Sequence, residues 1–432
     1  MRSDAPVVRR LGLASGAALV VSSMIGTGIY TTTGLLIRDL GSARLVLLAW
    51  VLGGLVACCG ALAYGRLATA LPFNGGEYQL LGRLYHPTVG FVAGWVSIVA
   101  GFSAPLAASA VAFATYSGRY FPQVPRELLA VGLIGVMTAV HLRGASFSGK
   151  LQVGATALQI ALMTVLVICG LVVGHIGRTF APPHLGTRWY SLQFAHALVY
   201  VTFAYSGWNA AVYVAGEIRN PERTLPRALV GATALVTLLY VLVNVVYLAS
   251  APLGELSGAL DIGAVAARHL FGQKAALALT FLVCVGLASC VSALTFSGAR
   301  VLSAMSLDSA RLRIFTPKSA AAPPIRSTLV LSGLASVLVL TSSFEALLTY
   351  VGIMLSLSTL IALLGIFRLR ALSDQHVPSV STRVAALLAA FLVVWIIVAT
   401  SLAAPASALL TLATMILAWQ AHRWLHAGQR SK

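Results

Sequence analysis

Charge-free apolar runs of about twenty residues recur along nearly the whole chain; between Leu11 and Ile37, for example, no Asp, Glu, Lys or Arg occurs. At a rise of about 1.5 Å per residue, roughly 20 apolar residues cross a hydrocarbon core about 30 Å thick. Such runs read as membrane spans, and the composition agrees: 59% of residues are hydrophobic, 9% are charged, and the mean hydropathy is +0.90, values far from those of a soluble domain. Twelve spans are expected, at about 13–37, 44–65, 88–117, 124–142, 151–175, 191–216, 228–250, 275–302, 327–343, 345–367, 383–400 and 404–424. The fourth is the weakest, its uncharged core running only from Leu128 to Leu142, and the ninth is also brief. The longer polar stretches, Arg178–Tyr190, Ala251–Lys274, Leu307–Ser327 and Arg368–Thr382, are punctuated by Pro, Gly and Ser and read as loops or short interfacial helices, not as a soluble domain.

A net charge of +18 could suggest nucleic acid as a partner, but the placement of the charges argues against it. With the N-terminus inside, 21 of the 29 Lys and Arg residues fall on the cytoplasmic side and 8 on the other. That bias follows the positive-inside rule, and an even number of spans puts both termini in the cytoplasm. The first apolar segment, preceded by Arg2, Arg9 and Arg10, is too long for a signal peptide and reads as a retained span.

Inside the first span the chain reads SMIGTGIY, Ser23 to Tyr30, which places two glycines and a threonine at mid-membrane. A broken helix is tolerated at that depth only where it is buried in protein or lines a watery cavity. Gly26 and Gly28 lower the cost of leaving helical dihedrals and allow a ligand close to the main chain. On this segment alone the glycines serve equally well as helix-packing residues, as Gly12 and Gly16 do by their GxxxG spacing. The charge-free span from Ser191 to Gly216 carries a second such interruption, FAYSGWN, Phe203 to Asn209. Paired interruptions in corresponding positions of two halves point to a secondary transporter built from inverted repeats. Spans one to five and six to ten then form the repeats, with two helices outside them. The chemistry follows. Unpaired N–H groups and a positive dipole end near Gly26, Thr27 and Gly28 suit an α-carboxylate, and carbonyls near Ser23, Ile25, Phe203, Ala204 and Ser206 suit an α-ammonium.

MIGTGIY, then LPFNGGEYQLLGRLYHP in the first cytoplasmic loop, then FAYSGWNAAVYVAGEIRNPERTLPRAL across span six and its exit, resemble the amino acid-polyamine-organocation superfamily, closest to the branch related to the L-type amino acid transporters. The likeness runs from about Leu11 to Trp424. It implies an all-α integral membrane fold of twelve transmembrane helices, LeuT-type, with a 5+5 inverted repeat, discontinuous helices 1 and 6 and two extra helices. The parts are then a cytoplasmic N-terminus (1–10), a first repeat (11–175), a second repeat (176–370), and the last two helices with the C-terminus (371–432). By this resemblance Ile25, Gly26, Thr27 and Gly28 match the carboxylate-binding stretch. Phe203, Ala204, Tyr205, Ser206 and Gly207 match the carbonyl-lined segment, where an aromatic at Phe203 or Tyr205 would cap the substrate; ordinary helix packing explains either ring as well.

The eleven acids all map to loops or span ends, and a cationic side chain at the midplane would want a buried carboxylate. Where several relatives with cationic substrates hold a glutamate, this chain has Asn209. A neutral amino acid is therefore expected, its side chain of a size to suit Tyr205, Trp208 and Asn209. Many relatives carry a lysine in span five, seven residues after a glutamine; here that glutamine is Gln152 and the later position is Gln159, which takes up no proton. Exchange or facilitated diffusion gains weight over proton coupling, with His196, Ser289 and Ser292 as the other coupling candidates and Lys150 as a positive-inside charge.

GASFSGK, Gly144 to Lys150, almost spells a phosphate-binding loop but is followed by Leu151 and no strand precedes it, so it reads as a short cytoplasmic loop. No HExxH or GxSxG motif and no buried acid pair supports a membrane-embedded enzyme. No cofactor or metal is expected. The five cysteines lie within expected spans and read as small packing residues, so a disulfide-linked heavy subunit, a feature of some relatives, is not expected. The alternatives to a transporter are a membrane amino acid sensor that binds without flux, and a channel, which the acid-poor spans disfavour. Scarce lysine beside arginine and abundant alanine point to a bacterial source, hence the bacterial inner membrane as the location.

Overall fold

The computed structural model describes residues 11–73, 75–143, 146–175, 177, 188–307, 310–318, 322–369 and 378–426. Arg2, Arg9 and Arg10 lie outside them, and the side chains of Lys150 and Gln152 are not described. The described residues form helices joined by turns and short connections, with one isolated β-bridge among them, between Leu11 and Ile218. In order the helices are α1 (Leu13–Met24), α2 (Thr27–Leu40), α3 (Ala43–Ala70), α4 (Gly76–Leu84), α5 (Pro87–Val96), α6 (Ala104–Ser117), α7 (Arg126–Leu142), α8 (Ser146–Val173) and α9 (Leu192–Ala204). There follow α10 (Pro221–Ser250), α11 (Leu253–Leu256), α12 (Ile262–Ser306), α13 (Ile325–Thr341), α14 (Phe344–Gly365), α15 (Val380–Ala403) and α16 (Pro405–His426).

Among the described residues six helical stretches are long and apolar enough to cross a membrane: Ala43–Ala70, Pro87–Ser117, Pro221–Ser250, Ile262–Ser306, Phe344–Arg368 and Val380–Ala403. The bent pair α1 and α2 makes a seventh when taken as one span. At the other expected positions the described residues form helices that are shorter or less apolar than a span requires. α7 has 17 residues and begins on Arg126 and Glu127. α8 contributes the apolar stretch Ala157–Val173, and α9 stops at Ala204 because the chain there leaves helical geometry. Ser146–Lys150 continue into α8 and do not form the loop expected of them.

Two local features shape the interior. Between α5 and α6 the helix widens into a π-helical turn, Ser97–Ser103, just before Pro105, whose missing N–H and ring crowding disfavour a regular turn. At Gly272 (φ +83°) α12 kinks, so that its first ten residues form a separate short helix ahead of the span. The largest buried side chains are aromatic: Trp50, Tyr64, Tyr116, Tyr200, Tyr205, Tyr240 and Tyr247. Gly16 packs against Ala228 of α10, as its spacing suggests, whereas Gly12 has no atom within 4 Å of a Cβ built on it. Cys58, Cys59, Cys169, Cys284 and Cys290 are all free; Cys169 lies on an exposed face and is not a packing residue.

Candidate functional site

The first break falls where the two glycines and Ile25 allow it. Ile25 adopts φ −72°, ψ 99° and Gly26 φ −155°, ψ −148°, extended values that end α1 and let α2 start afresh, bent by 43°. The second break follows Ala204. Gly207 has φ +99°, a left-handed value that disfavours any side chain, and the chain then proceeds through short 3-10 turns at Ala210–Tyr213 and Ala215–Glu217. The two breaks touch. A Cβ on Gly28 would lie 2.3 Å from the Ala204 Cα, and one on Gly207 would lie 2.5 Å from the Ser23 carbonyl oxygen. Glycine is required at both places because backbone meets backbone, and the Ser23-to-Gly28 and Ala204-to-Gly207 segments become one site.

The orphaned groups of the first break have side-chain partners. The Tyr240 hydroxyl donates to the Met24 carbonyl at 2.5 Å and accepts from the Gly26 N–H. The Thr27 N–H points to the Cys290 thiol, and the Thr27 hydroxyl is shared with Ser109 at 2.5 Å. The expected carboxylate donors are thus brought together and held by Tyr240, Cys290 and Ser109, three residues that motif reasoning passed over. The Gly26 position also abuts Cys290, 3.3 Å from where a Cβ would stand.

The aromatics of the second break are packed. Tyr205 is buried between α3 and α10, with its ring against Trp50 (5.7 Å) and Tyr240 (5.3 Å) and its hydroxyl donating to the Trp50 carbonyl at 3.0 Å. Trp208 stacks edge-on against Tyr64 at 4.7 Å, over Gly60. Phe203 and Ala204 are buried, while Ser206, Gly207 and Asn209 are partly exposed.

One acid corrects the expectation that every carboxylate sits at a loop or span end, away from the site. Glu77, in the first turn of α4, is only 5% exposed. Its Oε1 accepts from the Tyr64 hydroxyl at 2.7 Å and from the Asn209 Nδ2 at 3.1 Å. Gly75 and Gly76, with φ +114° and +58°, turn the chain so that Glu77 enters the interior, and Gly76 lies against the Tyr213 ring. Burial raises the Glu77 carboxyl above its ordinary value, opposed by the hydrogen bonds from Tyr64, Asn209 and Ser358. An acid directly behind a GG pair in an acid-poor chain was the available signal.

The coupling candidates do not form one cluster. Gln159 is buried, with its Nε2 unpartnered among the described residues and lodged in the space left by Gly286. Ser292 is 2.9 Å from the His141 Nε2, and Ser289 is buried nearby on α12. His196 stands two turns before the second break, its ring against Tyr200 and its Nδ1 buried without a partner among the described residues. Close to it, Arg38 at the end of α2 pairs with Asp39 and Glu345, and Tyr200 donates to Glu345 at 2.9 Å. This end of the molecule is tightly closed: twelve of the fourteen residues of α2 are buried, and the Gly258 N–H donates to the Gly34 carbonyl at 2.8 Å. On α1, by contrast, Ser15, Ala18, Leu19 and Ser23 form an exposed stripe.

The family described as "Amino acid permease" matches residues 11–420, nearly the whole chain and both breaks. The chain belongs to this amino acid permease family. It is similar to the serine/threonine exchanger SteT of Bacillus subtilis, 27% identical over 312 residues that cover 70% of this chain and 69% of that one. It is also similar to the Asc-type amino acid transporter 1 of Mus musculus, 28% identical over 381 residues (84% of this chain, 70% of the relative), and to the b(0,+)-type amino acid transporter 1 of Mus musculus, 30% identical over 251 residues (55% and 51%). The permease is thus a multi-pass membrane protein related to amino acid transporters of the amino acid-polyamine-organocation superfamily.

Proposed function

We propose that this permease moves neutral L-amino acids across the bacterial inner membrane by alternating access, through exchange or facilitated diffusion. The observation that carries the reading is the contact of the two interrupted segments, Gly28 on Ala204 and Gly207 on Ser23. An α-carboxylate would displace the Tyr240, Cys290 and Ser109 contacts from the amides of Gly26 to Gly28 and the hydroxyl of Thr27. An α-ammonium would meet the carbonyls of Ser23, Ile25 and the Phe203-to-Ser206 turn. Twelve spans in two five-helix repeats, 11–175 and 176–370, with both termini cytoplasmic, complete the proposal. The closed end of α2 and the exposed stripe of α1 then suit a state open to the cytoplasm.

Gln159 favours exchange over proton coupling, since an amide neither takes up nor releases a proton at working pH. The test is flux of labelled neutral amino acids into proteoliposomes, with the lumen empty or filled with unlabelled amino acid, and with or without an inward proton gradient. Uptake that needs internal substrate and ignores the gradient is the expected result. Gradient-driven uptake into empty vesicles would replace exchange by proton symport, and binding without flux would make the protein a sensor.

A further inference from the structure

Asn209 and Glu77 together raise a question of hydrogen-bond polarity. A carboxylate can only accept, so the group that Asn209 turns to Glu77 must be its NH2, and the amide is planar, with its carbonyl on the other side. The Nδ2–Oε1 distance of 3.1 Å and the Tyr64 hydroxyl on the same oxygen at 2.7 Å hold that arrangement. No hydrogen bond among the described residues engages the Asn209 Oδ1, and the residue is partly exposed, two positions beyond the glycine that touches Ser23.

We propose that Glu77 is a positioning residue for substrate choice: it turns the Asn209 amide so that the carbonyl oxygen faces the substrate, and the site thereby prefers a neutral amino acid whose side chain donates a hydrogen bond, a hydroxyl above all. This rests on the reading that the joined breaks form the substrate site. It goes further by giving position 209 a polarity, acceptor and not donor, and by placing the origin of that polarity on α4, outside the two broken segments.

The polarity depends on the charge of Glu77. A protonated carboxyl can donate to an amide oxygen, which frees Asn209 to turn over and present its NH2 instead. The groups facing Glu77 are Tyr64 of α3, Asn209 of the second break, Tyr213 of the following 3-10 turn and Ser358 of α14. Neither tyrosine ionises near neutrality, and the other two do not titrate. On α4 itself Arg83 lies over the Phe73 ring, and His86, which caps α5, bonds with Thr88. Because burial raises the Glu77 carboxyl above its ordinary value, the ionised form is present at the alkaline end and is lost as pH falls, earlier than for an unburied glutamate. The preference for a donor side chain is therefore full at high pH and fades on acidification.

The experiment is exchange in proteoliposomes, with threonine and valine competing against labelled alanine, for the wild type and Glu77→Gln between about pH 8 and about pH 5. Threonine and valine have the same shape and differ by a hydroxyl for a methyl. The wild type should favour threonine by about tenfold at the upper pH, the ratio that the net contribution of a single hydrogen bond supplies. That ratio should fall toward unity with acidification. In Glu77→Gln, whose amide can donate or accept, the ratio should be near unity at every pH. Should that variant fail to assemble, the wild-type pH profile alone decides. A wild type that exchanges alanine but treats threonine and valine alike, or a preference untouched by pH and by the substitution, overturns the role of Glu77 and leaves the transporter reading intact. A wild type that exchanges no neutral amino acid overturns the transporter reading itself.

Discussion

Gly28 and Ala204 lie against each other so closely that a Cβ added to the glycine would stand 2.3 Å from the Ala204 Cα. The contact joins α2 to the last residue of α9, and through it two residues 176 positions apart in sequence (204 − 28) meet. Gly28→Val should abolish amino acid exchange and lower stability by at least about 1–3 kcal/mol, because the obstacle is backbone and cannot rotate away. Gly132→Ala in α7 is the internal comparison: nothing lies within 4 Å of its Cβ. That change should leave exchange unaltered and stability unchanged or raised by about 0.5–1 kcal/mol. Thermal unfolding in detergent and proteoliposome exchange check both.

Gln159→Lys places an amine where an amide now sits against Gly286. Burial lowers the pKa of an amine, so the group should change charge within the accessible pH range. The rate of alanine exchange, measured as a function of pH, should become steeply pH-dependent in the variant. A profile superimposable on the wild type would show that position 159 has no electrostatic connection to transport.

His141 and Ser292 tie α7 to α12 across 2.9 Å. Ser292→Ala leaves a buried imidazole nitrogen without its partner and should cost about 1–3 kcal/mol. Adding His141→Phe to that background should recover part of the loss, because an apolar ring asks for no hydrogen bond. Denaturant or thermal unfolding of the wild type and the two variants measures it; a Ser292→Ala variant as stable as the wild type would show that the bond contributes nothing.

Arg38 and Glu345 make a two-pronged ion pair between α2 and α14, with both side chains about 40% exposed (41% and 42%). At that exposure the coupling energy from a double-mutant cycle should stay below about 1 kcal/mol and shrink with added salt. A value of several kcal/mol, insensitive to salt, would show that the pair is shielded within the membrane-embedded protein.

Membrane residence, the helical class and the positions of both interruptions were legible in the sequence, for a physical reason. Apolar runs of span length have one stable solvent, and in that solvent a glycine pair beside a hydroxyl at mid-span marks a local departure from the helix. Ile25–Gly26 and Gly207 break where the motifs suggested. What each broken end touches was not legible. Ser109, Tyr240 and Cys290, which hold Thr27, Met24 and Gly26, lie on α6, α10 and α12 and are ordinary helix residues by any local pattern.

Glu77 shows the division most clearly. Local sequence determined that an acid follows two glycines in a polar stretch between spans, where it reads as a solvated loop residue. Only the tertiary structure decided that the left-handed turns at Gly75 and Gly76 bring that acid inward, under Tyr64 and onto Asn209, 132 residues away. Hydrophobic periodicity and local backbone preference act over a few residues and are written in the chain. The partner of a buried polar group is chosen by whichever distant element packs over it.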